Sequence, residues 1–187
     1  MQTEIKRQFL HILIGILYIV ILFFLPIEHS IPALIAIFAI GSFLSYTHAH
    51  LTPLPFLKDI LSRVERDKEI HIPGRAALSF TLGVLLASIV FFPFDKMVLI
   101  GAVTAVTFGD GFSTLIGKAA GKHRTIGNRT MEGTIGGTVA AALTLMVFFP
   151  LEVALGAAIF AMLAEYIPIN DSYTIPLIAG IVLAILI

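Results

Sequence analysis

No cysteine occurs among the 187 residues. Disulfides, zinc–thiolate sites and thiol nucleophiles are therefore excluded. Charge is scarce: Asp, Glu, Lys and Arg make up 13% of the chain, against about 25% in ordinary soluble domains. No basic face interleaved with aromatics marks a nucleic-acid binder. No low-complexity linker and no internal repeat divides the chain, so one domain over residues 1–187 is expected. A Walker A loop is also lacking. Gly111 and Gly117-Lys118 are one residue too far apart, Ala119 stands where Ser or Thr is needed, and no strand precedes them.

What the chain has in excess is apolar residues, 58% of the total. A helix needs about 20 of them in a row to cross a bilayer core, with a usable range near 17–25. Residues 9–27, 75–94, 97–117 and 131–149 meet that need, and 31–46, 153–167 and 173–187 are shorter candidates. The first run is too long for the core of a signal peptide and lacks a small-x-small cleavage site, so a retained helix is expected. The expected fold is all-α: a polytopic membrane protein with about seven transmembrane helices. Between the second and third, Leu57, Ile60, Leu61 and Val64 recur at helical spacing, with Lys58, Asp59, Arg63, Arg66 and Asp67 mostly on the other face. That pattern suits an amphipathic helix lying in the membrane interface.

The net charge of zero conceals an asymmetry. With seven crossings, Lys6, Arg7, Lys58, Arg63, Arg66, Lys68, Arg75, Lys118, Lys122, Arg124 and Arg129 fall on one side and only Lys96 on the other. The positive-inside rule makes the crowded side, with the N-terminus, cytoplasmic.

Asp110 interrupts an apolar run, and an ionisable residue at that depth is costly unless it has a task. Eight residues separate it from Lys118, about 12 Å of helix, so it lies below the interface but short of the bilayer centre. Ser113, Thr114 and Gly117 share its face. Gly109, Ser113, Gly117 and Gly121 also form a small-residue ladder suited to close helix packing. The loop 118–129 carries Lys118, Lys122, Arg124 and Arg129 and no acid. Cations beside the carboxylates of Asp110 and Glu132 suit a metal–polyphosphate ligand, with the metal on the acids and the cations on the outer oxygens. Topology alone would also retain those cations. Thr130 is placed to cap a helix, which makes Glu132 equally well a first-turn acid favoured by the helix dipole. Glu4, Arg7, His11 and Gly15 line one helix face. Glu165, with Pro168, Asn170 and Asp171 after it, makes a further acidic patch, and a polar helix end is its simplest reading. His48, His50 and His71 are loop histidines, and a metal site among them is a minor alternative.

Together these residues resemble the CTP-dependent lipid kinases, comprising dolichol kinase, phytol kinase and the yeast-type diacylglycerol kinase, relatives of phosphatidate cytidylyltransferase. Four blocks carry the resemblance along nearly the whole chain. They are Glu4-Ile5-Lys6-Arg7-Gln8-Phe9-Leu10-His11; Arg66-Asp67-Lys68-Glu69 with Pro73-Gly74 and Gly83; Gly109-Asp110, Gly117-Lys118, Gly121-Lys122 and Arg129-Thr130-Met131-Glu132-Gly133-Thr134; and Glu165-Tyr166-Ile167-Pro168 with Asn170-Asp171-Ser172-Tyr173-Thr174-Ile175-Pro176. Gln8 and Arg129 stand where the family has Lys, and Asn170 and Ser172 where it has Asp and Asn.

The resemblance implies Mg²⁺-dependent phosphoryl transfer from CTP to the hydroxyl of a membrane lipid alcohol (a polyprenol or dolichol, another isoprenoid alcohol, or a diacylglycerol-like lipid) at the cytoplasmic face of the cell membrane. Asp110 is expected to ligate Mg²⁺, with Glu132 as second ligand or base. Lys118, Lys122, Arg129, Thr130, Gly117 and Gly121 are expected to hold phosphate, and Arg7, His11, Ser113, Glu165 and Asp171 to line the site. Expected partners are membrane lipids, the lipid alcohol and CTP; a homo-oligomer is left open. The alternatives are a cytidylyltransferase forming a CDP-lipid and, in another class, a small ion-coupled transporter using Asp110 and Glu165.

Overall fold

The structure, a computed structural model, describes residues 2–52, 54–64 and 72–187. Arg66, Asp67, Lys68, Glu69 and His71 lie outside the described residues. Every one of the seven apolar stretches falls on a helix: α1 (Gln2–Phe24), α2 (Ile27–His50), α4 (Arg75–Val90), the rod Lys96–Ala120, α7 (Met131–Leu145), α8 (Leu151–Leu163) and α9 (Asp171–Leu186). Among the described residues no β-strand forms. Thr3–Phe24, Ile27–His50 and Lys96–Ala120 are long and apolar enough to cross a membrane, whereas Arg75–Val90 and Asp171–Leu186 are shorter apolar helices. The chain is thus an all-helical protein of membrane character.

Local chemistry explains where the helices begin. Pro26 has no N–H to offer and separates α1 from α2. Gly74, in the left-handed region at φ 76°, turns the chain into α4. Asp95 accepts a bond from the Met97 N–H at 2.7 Å and caps the rod. Thr130 caps α7 by accepting from the Gly133 N–H at 3.1 Å, as its position suggests. Asn170 does the same for α9 through the Ser172 N–H at 3.0 Å. Helix α1 begins well before its apolar run because Glu4 and Gln8 are buried within the protein.

The rod from Lys96 is the axis of the molecule. Its first part, α5 (Lys96–Thr104), passes through a π-helical segment, Ala105–Asp110, into α6 (Gly111–Ala120). Residues 98–107 are all buried, enclosed by α1, α7, α8 and α9. Small residues permit the approach: Ala154, Ala157, Ala158 and Ala161 make the buried face of α8. A Cβ on Gly137 would lie 2.7 Å from the Gly109 carbonyl oxygen, and one on Gly133 equally close to that of Ser113. The small-residue ladder of the rod therefore packs directly against α7.

Helix α2 is peripheral. Only Ser30, Leu34 and Ser45 of its 24 residues are buried, and it packs mainly on α4. Although joined by a short turn, α1 and α2 touch at few points. A ten-residue helix, α3 (Pro55–Val64), occupies part of the following loop and rests against α1. Its Leu57 and Leu61 are half-buried while Phe56, Lys58 and Asp59 are exposed.

Candidate functional site

The π-helical segment ends at Asp110. A π turn adds a residue to the helical winding and re-aims the side chains after it, which is why such segments recur at functional sites. Asp110 faces a cavity of about 970 Å³ bounded by α1, α2, α3, α4, α6, the 121–130 loop and the start of α9. Its Oδ2 lies 3.8 Å from His11 Nε2. That nitrogen also lies 3.4 Å from the Val106 carbonyl oxygen, to which it donates, and the imidazole packs on Phe80 with ring centres 4.3 Å apart. His11 is thus fixed from three directions at the cavity wall.

Arg129 joins the acids. Its guanidinium donates to Asp171 Oδ2, and Nη1 lies 3.4 Å from Glu165 Oε1. Glu165 is fully enclosed at its side chain, and its other oxygen accepts from Ser113 Oγ at 3.1 Å. Burial alone would lower the Arg129 pKa, but the bond to Asp171 and the charges of Glu165, Asp171 and Asp110 more than reverse this and raise it. The guanidinium therefore stays charged and serves as counter-ion to three carboxylates. Asp110 and Asp171 face the cavity, while Glu165 lies enclosed behind them.

A second cluster stands at the same end. Glu4 is paired with both Arg7 and Lys118, and Arg7 and Lys118 line the cavity with Arg75. Lys96 is at the other end of α1, its ammonium donating to the carbonyls of Phe23 at 3.0 Å and Leu25 at 2.8 Å. Among the described residues, Arg7, Arg75 and Lys118 thus gather at the cavity while Lys96 stands at the far end of α1.

The anticipated residues divide. Asp110, Arg7, His11, Ser113, Gly117, Lys118, Arg129, Thr130 and Asp171 line the cavity, and Glu165 joins them through Ser113 and Arg129. Glu132 stands apart. It does not line the cavity; its carboxylate accepts from the His123 N–H at 3.2 Å and lies 2.6 Å from His123 Nδ1. The His123 carbonyl in turn accepts from the Met131 N–H at 2.9 Å. Glu132 thus pins the basic loop to the first turn of α7. Lys122 and Gly121 are exposed and outside the cavity lining. A Cβ on Gly121 would sit 2.9 Å from Thr130 Oγ1, so that glycine serves close packing.

Arg75, Gln8 and Ser172, to which the sequence assigned no place in the site, also line the cavity. Nor did it pair Arg129 with Asp171, 42 positions away. The resemblance at the block 170–176 was the available signal, weakened here because Asn170 stands where that pattern has Asp.

Among the described residues no three His, Asp or Glu side chains are grouped as a metal site complete in itself. Magnesium asks for less, commonly one or two carboxylates with waters and substrate phosphates. Asp110 and Asp171 both face the cavity, and the buried Asp171 Oδ1 has no hydrogen-bond partner, whereas Glu165 Oε1 is held by the Arg129 ion pair. An orphaned acceptor beside a second carboxylate fits a hard divalent cation. No protein-family model, curated protein or solved structure matches the chain.

Proposed function

We propose that the protein is a Mg²⁺-dependent lipid-alcohol kinase that uses CTP, crossing the membrane seven times with this cavity at the cytoplasmic face. One observation carries the reading. A single cavity joins an acid cluster of Asp110 and Asp171, a cationic rim of Arg7, Arg75, Lys118 and Arg129, and apolar walls from α2, α3 and α4. Phosphoryl transfer requires mainly positioning and charge neutralisation, which the first two supply. The third suits an alcohol that carries a hydrocarbon chain. The choice of cytidine rests on the sequence resemblance alone.

Bound Mg²⁺ would neutralise charge on the β- and γ-phosphates. Asp110 and Asp171 are the residues to hold it, in place of the Asp110–Glu132 pair expected from sequence. Lys118 and Arg7 can turn from Glu4, and Arg129 from Asp171, to meet phosphate oxygens by charge-assisted bonds. The lipid hydroxyl attacks the γ-phosphorus and the bond to the β-phosphate oxygen breaks, leaving CDP. An Asp110 carboxylate oxygen, beside the His11 N–H, would receive the hydroxyl proton. Glu132 and His123 hold the loop that presents Arg129.

The test is the fate of label. Purified protein with γ-labelled CTP, Mg²⁺ and a panel of lipid alcohols is expected to give labelled lipid. Label released as pyrophosphate, with cytidine monophosphate attached to lipid, defines a cytidylyltransferase and overturns the kinase reading. Ion-coupled flux in proteoliposomes without nucleotide, and no transfer, defines a transporter.

A further inference from the structure

The cavity does not end at the charged groups. Beyond His11 its walls become Leu10 and Ile14 of α1, Gly41 and Leu44 of α2, and Leu78 of α4. Measured from the turn at Pro26, Ile14 and Gly41 lie at similar distances along their helices, about 18 and 22 Å at 1.5 Å per residue. Consecutive helices joined by a short turn normally pack along their length. These two touch at few points and share a cavity instead. Two helices that part in this way from the turn at Pro26 make a V, and the cavity between them extends to Asp110; α3, which rests on α1, adds Leu57 and Leu61 to its lining. A smaller cavity of about 280 Å³ adjoins through Ser45, Pro73 and Leu78 and reaches Tyr46 and His50 on α2.

We propose that the V between α1 and α2 is the binding cleft for the hydrocarbon chain of a single-chain lipid alcohol, which enters sideways from the bilayer and sets its hydroxyl beside Asp110 and His11. The proposal rests on the kinase reading and adds where the chain lies. The occupant follows from complementarity. One continuous space carries acids and cations at one end and aliphatic side chains at the other, so its ligand has a polar terminus and an apolar body. Water in the aliphatic part would lack partners. With no divalent ion bound, a phospholipid would set its phosphate against Asp110 and Asp171, where like charges repel. Gly41 and Leu78 both line the cavity, and a Cβ on Gly41 would lie 3.2 Å from Leu78 Cδ2, so a larger side chain there must push Leu78 or fill part of the apolar wall.

The chain contains no tryptophan, so a single introduced one reports its own surroundings. Leu44→Trp places the indole at the cleft, and Leu13→Trp places it on the outward face of α1, where Leu13 is 53% exposed. Each variant is reconstituted without nucleotide in vesicles doped with a chain-brominated long-chain alcohol or, separately, a chain-brominated phospholipid. Saturable quenching of Leu44→Trp by the brominated alcohol is expected, displaced by unbrominated alcohol, while Leu13→Trp is quenched by both lipids in proportion to their amount. Unsaturable, equal quenching at the two positions, or stronger quenching of Leu44→Trp by the phospholipid, overturns the proposal, as does no quenching at Leu44→Trp. Gly41→Leu is expected to raise the KM for lipid alcohol at least tenfold and leave Mg²⁺–CTP affinity within twofold; an unchanged lipid KM contradicts the cleft. Because the quenching needs neither CTP nor turnover, failure of the kinase reading leaves that result standing on its own.

Discussion

The two ends of the chain are packed by different rules. From α5 to α9 small side chains draw the helices together around buried Leu99, Ile100, Leu145, Met162, Ile175 and Leu183: four alanines face inward along α8, and Gly109, Gly133 and Gly137 bring the rod and α7 into backbone contact. Helices α1 and α2 are rich in large aliphatic and aromatic residues, most of them outward, among them Phe9, Leu13, Leu17, Phe23, Phe43 and Tyr46. Lipid chains solvate such residues as well as protein does, so little drives these two helices together, whereas close backbone packing holds the other half. The candidate site lies on the seam. The rigid half supplies Asp110, Ser113, Arg129, Glu165 and Asp171, and the looser half supplies His11, Arg7 and the apolar walls. A site that fixes charge to within a fraction of an ångström needs the first kind of packing. A site that admits a long flexible molecule sideways needs the second.

The largest expected effect lies in the rigid half. Asp110→Asn keeps the side chain's shape and removes its charge, so kcat should fall by about a thousandfold or more with the thermal melting curve in detergent unchanged. Near-normal transfer in that variant would show that the acid belongs to the packing. Arg129→Gln should be the next most damaging. It leaves Glu165 and Asp171 buried without their counter-ion, at a cost of about 3 kcal/mol, seen as a lowered Tm together with weakened nucleotide affinity. A stable variant with normal affinity would mean that the guanidinium is neither structural keystone nor phosphate ligand.

The contrast in packing can itself be tested. Gly137→Val drives a side chain into the Gly109 carbonyl and the Ser113 side chain and should cost about 1–3 kcal/mol. Leu17→Val on the outward face of α1 should change stability by less than about 0.5 kcal/mol. Equal tolerance at both positions would erase the distinction between the halves. The smallest effect is expected at Glu132. Glu132→Gln loosens the loop at His123 and should lower kcat only severalfold, with the Mg²⁺ dependence of the reaction unaltered. A loss matching that of Asp110→Asn, with a shifted Mg²⁺ requirement, would restore Glu132 as a metal ligand.

Legibility followed the range of the interactions. The apolar stretches and the cap at Thr130 depend on neighbours within a turn or two, and periodicity and composition carry that information. Three features did not show. The π-helical segment at Ala105–Asp110 breaks no residue preference that sequence displays. Arg129 meets Asp171 and Glu165 only because α7, α8 and α9 pack in sequence, so their spacing along the chain is uninformative. Glu132 is a first-turn acid whose two roles look alike on paper; the fold of the 121–130 loop decides, bringing the His123 N–H and ring to its carboxylate. The resemblance to lipid kinases paired Asp110 with Glu132, while the cavity pairs Asp110 with Asp171. The seven apolar stretches, four of spanning length and three shorter, also overstate what helix length alone delivers, since among the described residues three helices reach membrane-spanning length by themselves.

The central claim is that the acids at Asp110 and Asp171 and the cations around them take a triphosphate through a shared divalent ion. Its most direct measurement is the mutual dependence of Mn²⁺ and CTP binding to the purified protein, with free Mn²⁺ followed by its paramagnetic resonance signal. The expected result is that CTP tightens Mn²⁺ binding at least tenfold and that Asp110→Asn abolishes this coupling. Mn²⁺ and CTP binding that are independent of each other, or coupling that survives intact in Asp110→Asn, would contradict it.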